Sequence, residues 1–137
     1  MKNVTVAKSL MGLVLFALGV VTGSVAQTLS DLPQRVEQKR ADLTGAPSME
    51  VIASTVEFKT GESLELHTHH GIEVAYVIQG ASVQVPGQDP MMLPTGATLM
   101  NLRDVKHAGF KVVGKTPLKL FTVHTVDKGK PVFDYAK

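Results

Sequence analysis

From Val51 to Val126 the chain is cut into short runs of strand-forming residues, each closed by a turn signal. Val51–Lys59 stops at Thr60-Gly61, Glu73–Gln79 at Gly80, Ser82–Val85 at Pro86-Gly87, and Met91–Leu93 at Pro94-Thr95-Gly96. Thr98–Leu102, His107–Val113 and Leu118–Val126 complete the series, the last two joined by Gly114-Lys115-Thr116-Pro117. Turn signals every eight to twelve residues, with no sustained helical period between them, predict an all-β sandwich or barrel. At 137 residues the chain has room for a single domain.

The first 26 residues read as something other than fold. Lys2 and Lys8 give a basic start, Leu10–Val21 is an apolar run of twelve, and Ser24-Val25-Ala26 places small residues where signal peptidase reads. This predicts a cleaved secretory signal, removed after Ala26, and a periplasmic or secreted mature protein. The apolar run falls short of the roughly 20 residues that span a bilayer, so no membrane attachment is expected after cleavage. Cysteine is absent, which rules out a disulfide framework and a lipidated cysteine. Cleavage removes two of the fourteen basic residues and none of the twelve acidic ones, leaving the mature chain formally neutral. With no basic run and no glycine-rich phosphate loop, nucleic acid is not an expected partner. Residues 27–46 read as a polar N-terminal arm, extended in preference to a short helix begun at Ser30-Asp31-Leu32-Pro33. Residues 47–131 read as the barrel, and 132–137 as a tail.

The chemistry concentrates in Gly61–Gly80, GESLELHTHHGIEVAYVIQG. Leu64–His69 alternates, so a strand there would put Glu65, His67 and His69 on one face, with the two histidines roughly 7 Å apart. Glu73, beyond a turn at Gly71, would fold back toward them. Imidazole and carboxylate together suit one divalent first-row metal: Fe, Mn, Ni, Cu or Zn. In the last long run Leu118, Leu120, Thr122, His124 and Val126 share a face, and Lys119 on the other predicts that this one is inward.

These residues resemble the cupins. The family's first motif is Gly, five residues, His-x-His, three or four residues, Glu, six residues, Gly. Gly61, His67, His69, Glu73 and Gly80 meet every spacing. The second motif is Gly, five residues, Pro-x-Gly, two residues, His, three residues, Asn. Gly96 and His107 fit it, while Leu102, Asp104 and Lys111 stand at the Pro, the Gly and the Asn. Asp104 remains able to take a left-handed turn. The resemblance covers about Val51–Val126 and implies a double-stranded β-helix, a jelly-roll barrel, often dimeric, with one metal. It implies His67, His69, Glu73 and His107 as the metal ligands, with one or two positions left open.

His124, if inward, is the candidate for proton transfer. His70 has the opposite parity to the ligands and is expected at the rim, as is Glu65. Tyr76 is expected to face away from the metal, under the arm or at a dimer contact. Met91, Met92 and Met100 are expected to fill the core. Apolar walls from Val51, Leu64, Val77, Leu99 and Leu120 would favour a small apolar or aromatic organic molecule. No arginine is expected to face inward, which speaks against a phosphosugar isomerase. The leading expectation is therefore an exported mononuclear metal protein, a dioxygenase-like enzyme. The alternatives are a metal or small-ligand binding module without turnover, and a metal-dependent lyase or isomerase. A purely structural role for the metal is a further reading.

Overall fold

Strict alternation in the longest strands sets the architecture. In the computed structural model, which describes residues 32–107 and 109–136, eleven strands form and no helix does. They are β1 (Arg35–Asp42), β2 (Met49–Phe58), β3 (Ser63–Leu64), β4 (His67–Thr68), β5 (Gly71–Gln79), β6 (Ala81–Gln84), β7 (Met91–Leu93), β8 (Thr98–Asn101), β9 (Phe110–Val112), β10 (Leu118–Asp127) and β11 (Asp134–Tyr135). Residues 1–26, expected to be a secretory signal, and Gln27–Asp31 of the expected arm lie outside the described residues.

Five strands make one sheet in the order β1-β2-β10-β5-β8, four make another in the order β3-β9-β6-β7, and β11 pairs with β4. This is the double-stranded β-helix, in a single domain. The long strands β2, β10 and β5 each send every second side chain inward. Ile52, Val56 and Phe58 of β2 are buried, as are Leu118, Leu120 and Val126 of β10, and Ala75 and Val77 of β5. Phe58 meets Phe110 of β9 edge to face at 5.2 Å, which joins the two larger sheets. Each such large apolar side chain contributes about 1.5–3 kcal/mol by leaving water. Val83, Val112 and Ala81 complete this apolar part of the interior.

The same inward rows carry polar groups elsewhere: Glu50 and Ser54 on β2, Thr122 and His124 on β10, Glu73 on β5. Register brings them side by side, with Thr122 opposite Ser54 and Ala75, and His124 opposite Ile52 and Glu73. The barrel interior therefore has an apolar region and a polar region on one continuous sheet.

Several expectations need correction. The arm is extended, but β1 is an edge strand of the large sheet, paired with β2 from Arg35↔Val56 to Asp42↔Glu50. Its first residue, Arg35, is 6% exposed and donates from Nη1 to Ser54 Oγ at 2.6 Å. An arginine does face inward, and the argument against an isomerase built on its absence falls. The run Leu64–His69 is not one strand. Leu64 pairs with Phe110 of β9 and His67 with Tyr135 of β11, so the chain changes sheets between them and Glu65 and Leu66 are exposed. Gly71 is not a turn residue but the first residue of β5. Met91, Met92 and Met100 lie on the surface, not in the core, because β7 and β8 are edge strands. The residues assigned to a tail include Val132 and Phe133, both buried, and β11.

Candidate metal centre

Four segments from three separate parts of the chain deliver the polar cluster. β4 carries His67, with His69 just beyond it, and β5 carries Glu73. The loop before β9 carries His107, and β10 carries His124. His67, His69 and His124 are at most 1% exposed, Glu73 is 7% exposed, and His107 is partly exposed. His107 lies in a loop, not in a strand as expected, and docks on His67 through a two-bond bridge. The turn that presents it is held by Asp104, at φ 58°, whose N–H donates to His69 O at 3.0 Å. Aspartate is one of the few residues that tolerate this left-handed conformation. Arg103 adds a two-pronged contact to Asp127, at 2.9 and 2.8 Å, tying the loop to the end of β10.

Backbone carbonyls fix the tautomers. His67 Nδ1 lies 2.7 Å from Glu65 O, His69 Nδ1 2.6 Å from Val132 O, and His107 Nδ1 3.1 Å from Val105 O. A carbonyl only accepts, so each Nδ1 carries the hydrogen. A neutral imidazole has only one N–H, which leaves each Nε2 as a bare lone pair. These lone pairs converge. His107 Nε2 is 2.7 Å from His67 Nε2, and His69 Nε2 is 3.2 Å from Glu73 Oε2. The His124 ring, whose tautomer no carbonyl fixes, places its Nε2 3.3 Å from Glu73 Oε1. Asn101 Nδ2 donates to Glu73 Oε2 at 2.6 Å and holds the carboxylate from the open edge of β8.

Burial decides the protonation states. It pushes His67 down to about 4, against the opposing pull of the Glu65 carbonyl. Burial likewise lowers His107 and His124. For Glu73 burial favours the neutral acid, but the His124 ring beside Oε1 outweighs it and holds the carboxyl well below its usual range. At neutral pH His67, His107 and His124 are therefore neutral imidazoles beside the Glu73 carboxylate. Buried lone pairs facing one another with no donor between them are costly, and His69 Nε2 has no hydrogen-bond partner at all. A cation among them removes the conflict, and no ligand proton has to leave first. The donor set fits a divalent first-row transition metal.

The expected ligands do not form one tight set of four. His67, His69 and His107 offer atoms within 4.8 Å of one another, and so, separately, do His69, Glu73 and His124. His69 belongs to both. Phe133, which sequence reading left in the tail, walls the cluster, with ring centroids 5.1 Å from His67 and His69 and 5.7 Å from His124. Only its apolar character in a polar C-terminal stretch, beside Val132, signalled burial. His70 lies at the rim as expected, paired with Asp134 at 2.5 Å. Tyr76 points away from the cluster and is 47% exposed.

The expected walls are rearranged. Val77 and Leu120 are sealed in the core, Val51 has outward parity, and Leu99 is 39% exposed at the sheet edge. Leu64 alone borders a cleft of about 620 Å³, with Leu66, Val85, Pro86 and Phe110 as apolar lining and Glu65, Gln84 and Lys111 among its polar residues. None of the histidines lines it. It adjoins the cluster through Glu65, whose carbonyl holds His67, and Gly109, two residues past His107.

Fold and site together define a double-stranded β-helix protein with a buried His/Glu cluster. No protein-family model matches the chain, and no curated protein matches it in sequence. Solved structures do match in fold. An uncharacterized conserved protein with a double-stranded β-helix domain from Klebsiella pneumoniae is 15% identical, with a TM-score of 0.53, covering 75% of this chain and 83% of its own. A cupin-like protein from Thermotoga maritima is 17% identical, with a TM-score of 0.52, covering 74% of each chain. A DMSP lyase from Ruegeria pomeroyi is 15% identical with a TM-score of 0.48, covering 63% of this chain and 43% of its own, so this chain spans less than half of that lyase.

Proposed function

We propose that this chain is an exported metal-binding protein that acts on a small organic molecule as a dioxygenase-like enzyme. The observation that carries the reading is the buried cluster of imidazole nitrogens and one carboxylate, in two sets that share His69: His67, His69 and His107, and His69, Glu73 and His124. Each of His67, His69 and His107 has its only N–H engaged by a backbone carbonyl. His67, His69, Glu73 and His107 hold the ion, and Asn101 steers the carboxylate. The metal supplies Lewis acidity or redox chemistry when bound. The protein keeps its ligands unprotonated, orients them through carbonyls, and excludes water with Phe133 and Val132. The apolar cleft beside His67 and His107 suits an apolar or aromatic body.

The near-complete burial of the cluster, and the position of the 620 Å³ cleft beside it and not over it, favour a second reading: metal or small-ligand binding without turnover. A metal-dependent lyase or isomerase is the third. Export is supported by Lys2, Lys8, the run Leu10–Val21 and the Ser24-Val25-Ala26 site. A second copy of the chain is the partner proposed for the outer face of the large sheet. There Ile72, Val74, Tyr76 and Ile78 of β5 lie beside Phe121 and Met100, all exposed, with no charge among them.

Elemental analysis of residues 27–137 beside a His67→Ala/His69→Ala control tests the site. About one equivalent of iron, nickel, copper or manganese, lost in the control, followed by oxygen uptake with an organic substrate, supports the enzyme. Stoichiometric zinc points to binding, lyase or hydrolytic chemistry. No metal in either protein after soaking with divalent ions refutes the site.

A further inference from the structure

We propose that His124 is itself a ligand of the metal, so that the centre draws on four imidazoles and one carboxylate. The inference rests on the metal-binding reading above and extends it to a residue outside the family's ligand pattern.

His124 is fully buried; its Nδ1 meets no polar partner, and its Nε2 makes no well-formed hydrogen bond, with the Glu73 carboxylate the one group beside it. Such a side chain is expensive to bury unless something else meets it. Its Nε2 faces Glu73 Oε1 at 3.3 Å, and His69 Nε2 faces the other carboxylate oxygen at 3.2 Å. The two imidazoles thus flank one carboxylate. Two donors at right angles on an ion with bonds of about 2.1 Å lie about 3.0 Å apart, close to both separations. The atoms of His69, Glu73 and His124 all fall within 4.8 Å of one another, as do those of the His67, His69 and His107 set. His69 belongs to both sets and links them.

The backbone places His124 rigidly. It sits opposite Glu73 in the β10–β5 ladder and opposite Ile52 in the β10–β2 ladder, at the middle of the large sheet. Proton transfer, the role its inward parity suggests, requires a path to substrate or solvent. His124 has no exposed atom to offer one, and the His69 and Phe133 rings stand 5.0 and 5.7 Å from its own. Ligation asks only for the lone pair.

The test is proton NMR of the cobalt(II)-loaded mature chain labelled with ¹⁵N-histidine. A ring N–H on an imidazole bound directly to cobalt is shifted far outside the diamagnetic range, whereas a histidine that only touches Glu73 is not shifted in this way. His67, His69 and His107 supply three such Nδ1–H signals. Direct ligation by His124 predicts a fourth in the native protein and three in His124→Gln, with His107→Gln as the matching control. Three signals in the native protein, unchanged in His124→Gln, would overturn the proposal while leaving metal binding intact. If His124→Gln does not fold, the native count of four or three decides alone. Failure of the native protein to take up cobalt would overturn the metal-site reading and this inference with it.

Discussion

Gly71 sits where β5 begins, opposite Val126 of β10 and two residues before Glu73. A Cβ built there would overlap Thr125 O and lie 2.6 Å from Val126 Cα and 2.8 Å from Thr125 C. Every obstacle is backbone of the central strand, so no side chain can swing aside. Gly71→Ala must push β10 away from β5 by roughly 1 Å to reach ordinary carbon contact. Overpacking of this kind costs about 1–3 kcal/mol, and each weakened ladder bond about 1 more. A total near 3 kcal/mol corresponds to a fall in Tm of roughly 12–24 °C for a domain of this size. The strain falls on the pairing that sets His124 against Glu73, so metal affinity should drop as well. Thermal denaturation and a metal titration read both, beside Gly45→Ala, which has open space around its Cβ but carries φ 84°. A Gly71→Ala protein melting within about 2 °C of the parent would refute the argument, since the backbones would then have to be farther apart than described.

Three other outcomes follow from the site and the surface. His67 is neutral in the fold down to about 4, against 6.5 ordinarily, so between these values the unfolded chain binds the proton that the fold refuses. The stability of the metal-free protein should therefore fall as pH drops from about 6.5 toward 4; Glu73, depressed below the carboxylate range, extends the loss at lower pH. Urea midpoints at pH 7, 5.5 and 4.5 check this, and a flat profile contradicts it. Light scattering of the mature chain should give a dimer mass, and Val74→Lys on the uncharged face a monomer; a monomeric parent sinks the second-copy reading. Amino-terminal sequencing of the exported protein should begin at Gln27, and an uncleaved chain retained in the membrane would count against the signal assignment.

Much of the fold was legible because its long strands alternate without a fault. Leu118 to Val126 placed His124 inward before any coordinates, since one face held only Leu, Thr, His and Val while Lys119 marked the other. The left-handed turn at Asp104 was legible too, because few other residues tolerate it. What escaped was decided by distant partners. Nothing local tells that Leu64 pairs with Phe110 while His67, three residues on, pairs with Tyr135. Arg35 read as part of a solvated arm because an edge strand carries charge on most of its length, and only pairing with Val56 turns this one inward. The three methionines misled because apolar character marks a side chain for burial without saying whether the fold or another molecule buries it. The cluster's division into two triads around His69 is a matter of an ångström or two, below the resolution of any spacing rule.

The carbonyl that fixes His69 comes from Val132, 63 residues later. Phe133, beside it, closes over three of the histidines. The order of the His69 ring therefore depends on a stretch made much later than the ring itself. A chain cut before Val132 carries His67, His69 and Glu73 but lacks the carbonyl and the ring that hold them, so it offers loose imidazoles and not a shaped site.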